Sequence, residues 1–455
     1  MNPNKKFSEL KDSPMTPISE AILRANRIIG EKTGIISKVE FGDLWPGEPK
    51  IYLARATPAD TSAFSNETAL NYGDGASINK DRAIMKAVGE SVERYCSAQF
   101  NKDEFLISSL DKLNEPAVDP TNFALFSARQ YQTPNFRFQP LTTQTQIRWT
   151  SGYSLTNNRQ ALVPAGFVYV PYRFEDSLEH PYHFSISTGL ACGTSRAMAL
   201  YKGLMEAIER DAFTIVWRNR LTPSLIDLTN VEDLEVNKLI DSLKETSIEF
   251  FAFHISIDIQ VPVVLVLLIN PFKKPPYQVV GISADLSPVK ALRSALEEGI
   301  LTFLGMNRYA NTNKNYKPEP NFEDLKIPIE HAMAYAVWPD LQKEIDFLLN
   351  SNKTISIQDI TDRSQEGFVE NIHTTTKLLN EKGLEAIALD LTTPDIDEAG
   401  FKVVRAVVPG LHPLDVNHNY LYLGGKRLYQ APYDAGLLER PHKEEELNMA
   451  PHCFP

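Results

Sequence analysis

Two segments of the chain carry paired glutamates followed by an arginine at helical spacing. Ser187 to Arg218 reads STGLACGTSRAMALYKGLMEAIERDAFTIVWR, and Asp81 to Phe100 reads DRAIMKAVGESVERYCSAQF. In the first, Glu206, Glu209 and Arg210 stand at i, i+3 and i+4, which places them on neighbouring helix surface. Glu90, Glu93 and Arg94 repeat the pattern, and Arg293 and Glu297 sit one turn apart on a third helical stretch, Ser287 to Phe303. One such trio alone reads as a solvated salt-bridge face. Its repetition points to a shared site. Carboxylate oxygens suit Mg2+, which keeps waters and shares substrate phosphates. Each arginine can pair with the carboxylate a turn earlier or meet a phosphate as a fork donor. Four carboxylates gathered without a cation would raise one another's pKa. Glu90, Glu93, Glu206 and Glu209 are therefore expected to hold Mg2+ beside a nucleotide.

Other chemistries find less support. LGGKRL lacks the phosphate-loop spacing, no GxGxxG opens a helix, and HExxH is absent. Cys192 sits three residues after Gly189, so GLACG is not a nucleophile elbow. Cys192 and Cys96 read as small core residues, and a cysteine hydrolase at Cys192 is the weakest reading. Three cysteines with no CxxC pair offer neither a disulfide framework nor a zinc site. A net charge of -12 argues against a nucleic-acid binder. No stretch approaches the roughly 18 to 20 apolar residues that span a bilayer. The polar start MNPNKKFSELKDS has no signal-peptide core. These features predict a soluble, cytoplasmic protein without nucleic-acid or membrane partners.

The elements that must position the glutamates follow from periodicity. A helix is predicted over Ile18 to Ile29, then strands in IISKVEF and IYLARA, and a Gly-containing turn around Asn71 in NYGDGASINKDRA. A turn of that kind beside a helix N-terminus can receive an anion. IRWTSGYSL and ALVPAGFVYVPY read as adjacent antiparallel strands. Val231 to Glu245 is an amphipathic helix followed by strands IEFFAFHIS and VPVVLVLLIN. A helix containing Thr374 to Lys382 is likewise followed by EAIALDL and FKVVRAVVP. The echo predicts an α+β protein of quasi-duplicated helix–strand–strand units, with antiparallel or mixed sheets and packed helices. Residues 305 to 360, charged and asparagine-rich, read as a peripheral insertion with one helix.

Taken in order, the motifs resemble the YcaO family of ATP-dependent enzymes that activate peptide backbones. Its patterns SxxxExxER, SxxxExxxQxxxExxER and RxxxE fall on Lys86–Arg94, Thr194–Arg210 and Arg293–Glu297, and STGLACGTS, IERDA and VVRAVVPGLHPL also resemble it. The likeness runs from about Gly34 to Pro455. It implies a YcaO-like fold, with residues 1–60 packing on an ATP-binding catalytic domain of residues 61–455. That domain ends in a proline-containing tail, residues 449–455.

The family reaction implied is cyclodehydration. A Cys, Ser or Thr side chain of a precursor peptide attacks the preceding amide carbonyl. The oxyanion takes the γ-phosphoryl of ATP, and loss of phosphate leaves a thiazoline or oxazoline. By resemblance, Lys86, Glu90, Glu93, Arg94, Thr194, Lys202, Glu206, Glu209, Arg210, Arg293 and Glu297 would bind ATP and Mg2+. Arg293 would lie near phosphates, and Glu297 would orient it or join the nucleotide shell. Arg293, Glu297, Pro451 and Pro455 would act in catalysis, the two prolines through a tail that reaches the active site. Implied partners are a leader-peptide-binding, E1-like protein, a flavin-dependent azoline dehydrogenase and a second copy of the chain. The region before the likeness holds no obvious peptide-binding domain, so delivery of substrate by a second protein is expected.

The chain departs from the pattern in places. Lys86 and Thr194 stand where the family has serine, Met198 replaces glutamate, Lys202 replaces glutamine, and Cys453 replaces the middle proline of the tail. Met198 is no ligand for a hard metal. Lys202 offers a point charge to phosphate or neutralises Glu206 at i,i+4. Thioamide formation at the same nucleotide site is the related alternative. A nucleotide-binding, non-catalytic scaffold subunit is the alternative from another class.

Overall fold

Each of the three motif helices is entered directly from a short strand that carries a glycine. This is seen in a computed structural model, which describes residues 7–455 apart from 13, 63, 64, 66, 68–71, 175–177, 314 and 315. In the first unit, strand Gly73–Ser77 leads into helix Lys80–Ser97, whose N-terminus is capped by the Asn79 side chain on Arg82 N–H. In the second, strand Leu190–Gly193 leads into helix Arg196–Asn219, capped by Ser195 on Met198 N–H. In the third, strand Gln278–Ala284 leads into helix Pro288–Thr312, where proline occupies the first turn and no donor is lost.

The glycines let helix and strand touch backbone to backbone. A Cβ at Gly73 would lie 2.1 Å from the Ala87 carbonyl oxygen, and one at Gly281 would lie 2.1 Å from Gly299 N. In the second unit a Cβ at Gly203 would come within 2.4 Å of the Gly189 carbonyl oxygen. Gly281→Ala is expected to cost about 1–3 kcal/mol by overpacking. Gly299→Ala is the control, because its added carbon meets nothing closer than 3.5 Å and helix propensity favours alanine. Equal melting temperatures for Gly281→Ala and wild type would refute the close-contact account.

Among the described residues the strands form three sheets. The first is antiparallel, in the order Ile36–Gly42, Tyr52–Pro58, Gly73–Ser77, so it joins strands from either side of residue 60. The second runs Gln278–Ala284, Val263–Ile269, Glu249–His254, Ser224–Asp227, Thr354–Ser356, and only its last pair is parallel. The third runs Leu106–Ser108, Ile147–Ser154, Ile387–Asp390, Lys402–Val407, Leu190–Gly193, with Arg159–Pro164 added beside Ile147–Ser154. Each unit strand stands at one end of its sheet.

The quasi-duplicated α+β body is present. Helix Leu234–Lys244 precedes the antiparallel neighbours Glu249–His254 and Val263–Ile269. Helix Phe368–Asn380 precedes Ile387–Asp390 and Lys402–Val407, also antiparallel neighbours. The largest core packs Leu200, Leu204, Ile208 and Trp217 of the second-unit helix against Leu265, Val280 and Ile282. A second core packs Ala83, Ala87, Val88 and Val92 against Leu190, Cys192 and Val403, and takes in Cys96. Both cysteines are buried core residues, as their settings predict.

Two local expectations need correction. Gly73 and Gly75 belong to a strand rather than a turn, because only glycine lets that strand lie against the helix; Asn71 lies outside the described residues. Residues 305–360 are not a peripheral insertion. Thr354–Ser356 extends the five-stranded sheet, and His331, Tyr335 and Leu348 are fully buried. The charge and asparagine content of that segment mark its outer faces only. The first helix is shorter than predicted, Ile18–Ala25.

Candidate functional site

The glutamates of the three helices hydrogen-bond to backbone beside the sheet ends. Glu90 accepts from Asp74 N–H at 2.8 Å within its own unit, and Glu93 reaches across to Cys192 N–H of the second-unit strand at 2.7 Å. Glu206 accepts from Gly189 N–H, just before its own strand, at 2.8 Å, and Glu209 crosses to Ala284 N–H of the third-unit strand at 3.2 Å. Glu298 accepts from Ile282 N–H at 2.7 Å. Glu297 closes the circuit, accepting from the Ser77 hydroxyl of the first-unit strand at 2.6 Å. One carboxylate per unit thus holds its own strand while another holds the next.

The basic groups sort differently. Arg94 pairs with Glu90 at 3.2 Å and Arg210 with Glu206 at 2.6 Å, as the i,i+4 spacing predicts. Lys86 pairs with Glu297 at 2.6 Å. Arg293 does not meet Glu297, one turn away on the same helix. It pairs instead with Glu235 at 2.6 Å, which also takes both ends of the Arg82 guanidinium at 2.7 and 2.9 Å. Lys202 donates to the Cys192 carbonyl at 3.4 Å rather than to Glu206, and the Thr194 hydroxyl donates to Met198 Sδ at 3.6 Å. Glu298, Glu235, Arg82 and Arg405 were not picked out from sequence. For Glu298 a signal existed. Each own-strand glutamate follows a glycine by seventeen positions, at 73 and 90, 189 and 206, 281 and 298.

Burial sets the electrostatics. It pushes the Glu93 carboxyl up to about 8, with Glu206 and Glu90 adding to the shift while the Cys192 N–H and Lys202 oppose it. Burial also raises Glu209 well above the usual carboxylate range and pushes Glu298 up to about 7, and the neighbouring Glu206 raises both. Among the described residues no three His, Cys, Asp or Glu side chains are already gathered to hold a metal ion. The separate backbone contacts explain this, since they keep the carboxylates apart. The donor set still fits Mg2+, which takes only one or two protein carboxylates and completes its octahedron with water and phosphate.

A pH effect follows for the metal-free protein. Above the ordinary carboxylate range the unfolded chain releases a proton that native Glu93 keeps until about pH 8. Stability from this group is therefore full below about pH 4.5 and lost as pH rises toward about 8. Buried neutral histidines, among them His331, His418 and His452, act in the opposite sense below about pH 6.5. Glu93→Gln isolates the effect. Its urea midpoint relative to wild type should increase between pH near 5 and pH near 8. A constant difference would sink the assignment.

The tail is folded in. Pro451, His452, Cys453 and Phe454 are buried. Tyr335 donates to the Pro451 carbonyl at 2.8 Å, and His452 Nε2 donates to the Asp415 carbonyl at 2.8 Å. Phe454 packs on Phe213, one turn beyond Glu209, at 5.4 Å between centroids. The run-up is held by Arg218, which donates to the carbonyls of Asn448 and Ala450 and pairs with buried Asp415. Pro451 and Pro455 thus end a segment that lies along the C-terminal half of the second-unit helix.

A family model described as "YcaO cyclodehydratase, ATP-ad Mg2+-binding" matches residues 74–412. An uncharacterised protein of Methanothermobacter thermautotrophicus is 24% identical over 361 residues, 78% of this chain and 85% of that protein. A structure titled "Heterocyclase in complex with substrate and Cofactor" superposes with a TM-score of 0.82 at 22% identity; it matches 98% of this chain, which spans only 59% of its length. YcaO from Methanopyrus kandleri bound with AMPPCP and Mg2+ superposes with a TM-score of 0.62 at 18% identity, covering 87% and 90% of the two chains. No described helix is long and apolar enough to cross a membrane.

Proposed function

The chain belongs to the YcaO family, and from that premise we propose that it is an ATP-dependent cyclodehydratase of peptides. The observation that carries the reading is the circuit of glutamates from three helices, in which burial raises the carboxyls of Glu93, Glu209 and Glu298. One or two Mg2+ ions would be shared among Glu90, Glu93, Glu206 and Glu209, each taking one or two of these carboxylates, and would neutralise charge on the transferring phosphoryl group. Arg94 and Arg210 are anchored to carboxylates a turn earlier, and their remaining donors would meet phosphate. Arg293 would reach phosphate on leaving Glu235. Lys86, Thr194, Lys202 and Glu297 would line the nucleotide site, with Glu297 held by Ser77 and Lys86.

The substrate is a ribosomal precursor peptide. A side-chain nucleophile attacks the preceding amide carbon, and the amide oxygen takes the γ-phosphoryl of ATP, releasing ADP. Departure of phosphate with that oxygen then leaves the azoline ring. An amide oxygen leaves poorly, and phosphorylation makes it a good leaving group. Positioning supplies much of the remaining acceleration. The tail, with Pro451 and Pro455, would order the second-unit helix from its far end. A leader-peptide-binding, E1-like partner would deliver the peptide, a flavin-dependent dehydrogenase would oxidise the rings, and two copies would associate.

One observation favours a second reading, the non-catalytic nucleotide-binding subunit. Met198 and Lys202 are turned to Thr194 and to the Cys192 carbonyl, and Lys202 already places a cation near Glu93. Phosphate release from Mg–ATP, measured with candidate peptide and partner, separates the readings. Peptide-stimulated release with loss of one water mass per ring supports cyclodehydration. Exchange of oxygen for sulfur in the peptide assigns thioamide formation. ATP binding without turnover under every condition assigns the scaffold.

A further inference from the structure

Three side chains of the site grip one short loop, Ile186 to Gly189, ahead of the second-unit strand. Glu206 accepts from Gly189 N–H at 2.8 Å, and Arg210 Nη1 donates to the Thr188 hydroxyl at 3.0 Å. The third is Arg405, whose Nη2 donates to the Ile186 carbonyl at 2.7 Å. Arg405 lies on strand Lys402–Val407 opposite Leu190, and the next residue, Ala406, donates its N–H to the Gly189 carbonyl at 2.7 Å.

Arg405 is only 4% exposed. Its Nε and Nη1 are buried without a hydrogen-bond partner, and so is Arg210 Nε. Glu206, the carboxylate whose field favours the Arg405 charge, is ion-paired with Arg210 instead. Burial, with Arg210 and Arg94 nearby, pulls Arg405 down to about 10. A buried guanidinium without its own anion is costly. Three unfilled N–H donors on two arginines bound to one loop are what an incoming oxyanion would complete.

We propose that Arg405, outside the three glutamate motifs, is an anion-binding residue of this site and, with Arg210, receives a phosphoryl group of the ligand. Three donors from two planes match the terminal oxygens of a phosphoryl group better than a flat carboxylate with two. That the phosphoryl belongs to a nucleotide rests on the function proposed above. The binding of phosphate itself does not.

The test uses the full chain without Mg2+, with inorganic phosphate, pyrophosphate, ATP and acetate as probes, read by calorimetry and thermal shift. Pyrophosphate should bind wild type and raise its Tm. Arg405→Met should weaken that binding roughly 10- to 100-fold, the loss of one or two charge-assisted hydrogen bonds, and Arg405→Lys should weaken it less. Without ligand the methionine variant should melt no lower than wild type, because an uncompensated charge has been removed. Equal pyrophosphate affinity in wild type and Arg405→Met overturns the proposal, as does no binding by wild type. A drop in the ligand-free Tm of Arg405→Met, or failure of that variant to fold, marks Arg405 as structural and overturns it too. Acetate binding as tight as pyrophosphate reassigns the site to carboxylates and overturns the phosphoryl assignment. Arg405-dependent pyrophosphate binding without any ATP binding sustains this inference while refuting the nucleotide reading.

Discussion

Glu209→Gln should lower peptide-dependent ATP turnover by about 100-fold or more, yet raise the melting temperature of the ligand-free protein. Glutamine can still accept from Ala284 N–H, so the contact between the second and third units survives. What disappears is a buried acid that Glu298 and Glu206 both disfavour as an anion. Removing it relieves a cost that only a bound cation would otherwise offset. Removing one preorganised group from a charge-stabilising site typically costs 10²–10³-fold in rate, hence the expected magnitude. Steady-state phosphate release and a thermal melt without Mg2+ read the two halves separately. Turnover at the wild-type rate would take Glu209 out of the machinery. A lower melting temperature would make it a structural ligand of the strand alone.

The second large effect is at Arg218. It is 1% exposed, pairs with Asp415 at 2.5 Å, and donates to the carbonyls of Asn448 and Ala450. Arg218→Ala strands Asp415, itself 1% exposed, and frees two carbonyls that hold the tail. A loss of about 3–5 kcal/mol is expected, the usual result of breaking one side of a buried pair. Asp415→Asn on top of Arg218→Ala should recover part of it, since the stranded charge is then gone. Chemical denaturation of both variants checks the magnitude. Limited proteolysis should cut the tail in Arg218→Ala before the rest of the chain. A loss under about 1 kcal/mol would mean that the tail is held by its apolar contacts, such as Phe454 on Phe213.

What the sequence made legible was local and periodic. The i,i+4 pairs of Arg94 with Glu90 and Arg210 with Glu206 follow from helix geometry alone. The strand pairs after Leu234–Lys244 and after Phe368–Asn380 follow from alternation and turn residues. Contacts made across units were not legible. Arg293 was expected beside Glu297 or near phosphate, but tertiary packing brings Glu235 to it from another helix. The RxxxE spacing points to Glu297, the neighbour of Glu298, because it is counted from Arg293. Counting from the strand glycine instead reaches Glu298 directly, since backbone contact fixes the phase of helix on strand. Residues 305–360 misled because asparagine and charge report the outer face of an element and say little about the face beneath. The sequence expects an ordered tail, but not which residues bury it. The tail's partners, Tyr335, Asp415 and Phe213, are more than thirty positions away in sequence.

The placement of the glutamates at the ends of three sheets has a consequence for how such a chain ages. An end strand with free N–H groups invites another chain to add itself, and proteins blunt that hazard with charge. Here the side chains that take up such N–H groups include Glu90 and Glu206, two of the four proposed to meet the cation. A descendant that lost its chemistry would still be under pressure to keep Glu90, Glu206 and Glu298, since giving them up would uncover adhesive borders. Retention of these residues in a relative is thus a record of solubility as much as of catalysis. The residues that make no such contact, Arg405 among them, are where the loss of an activity would first be written.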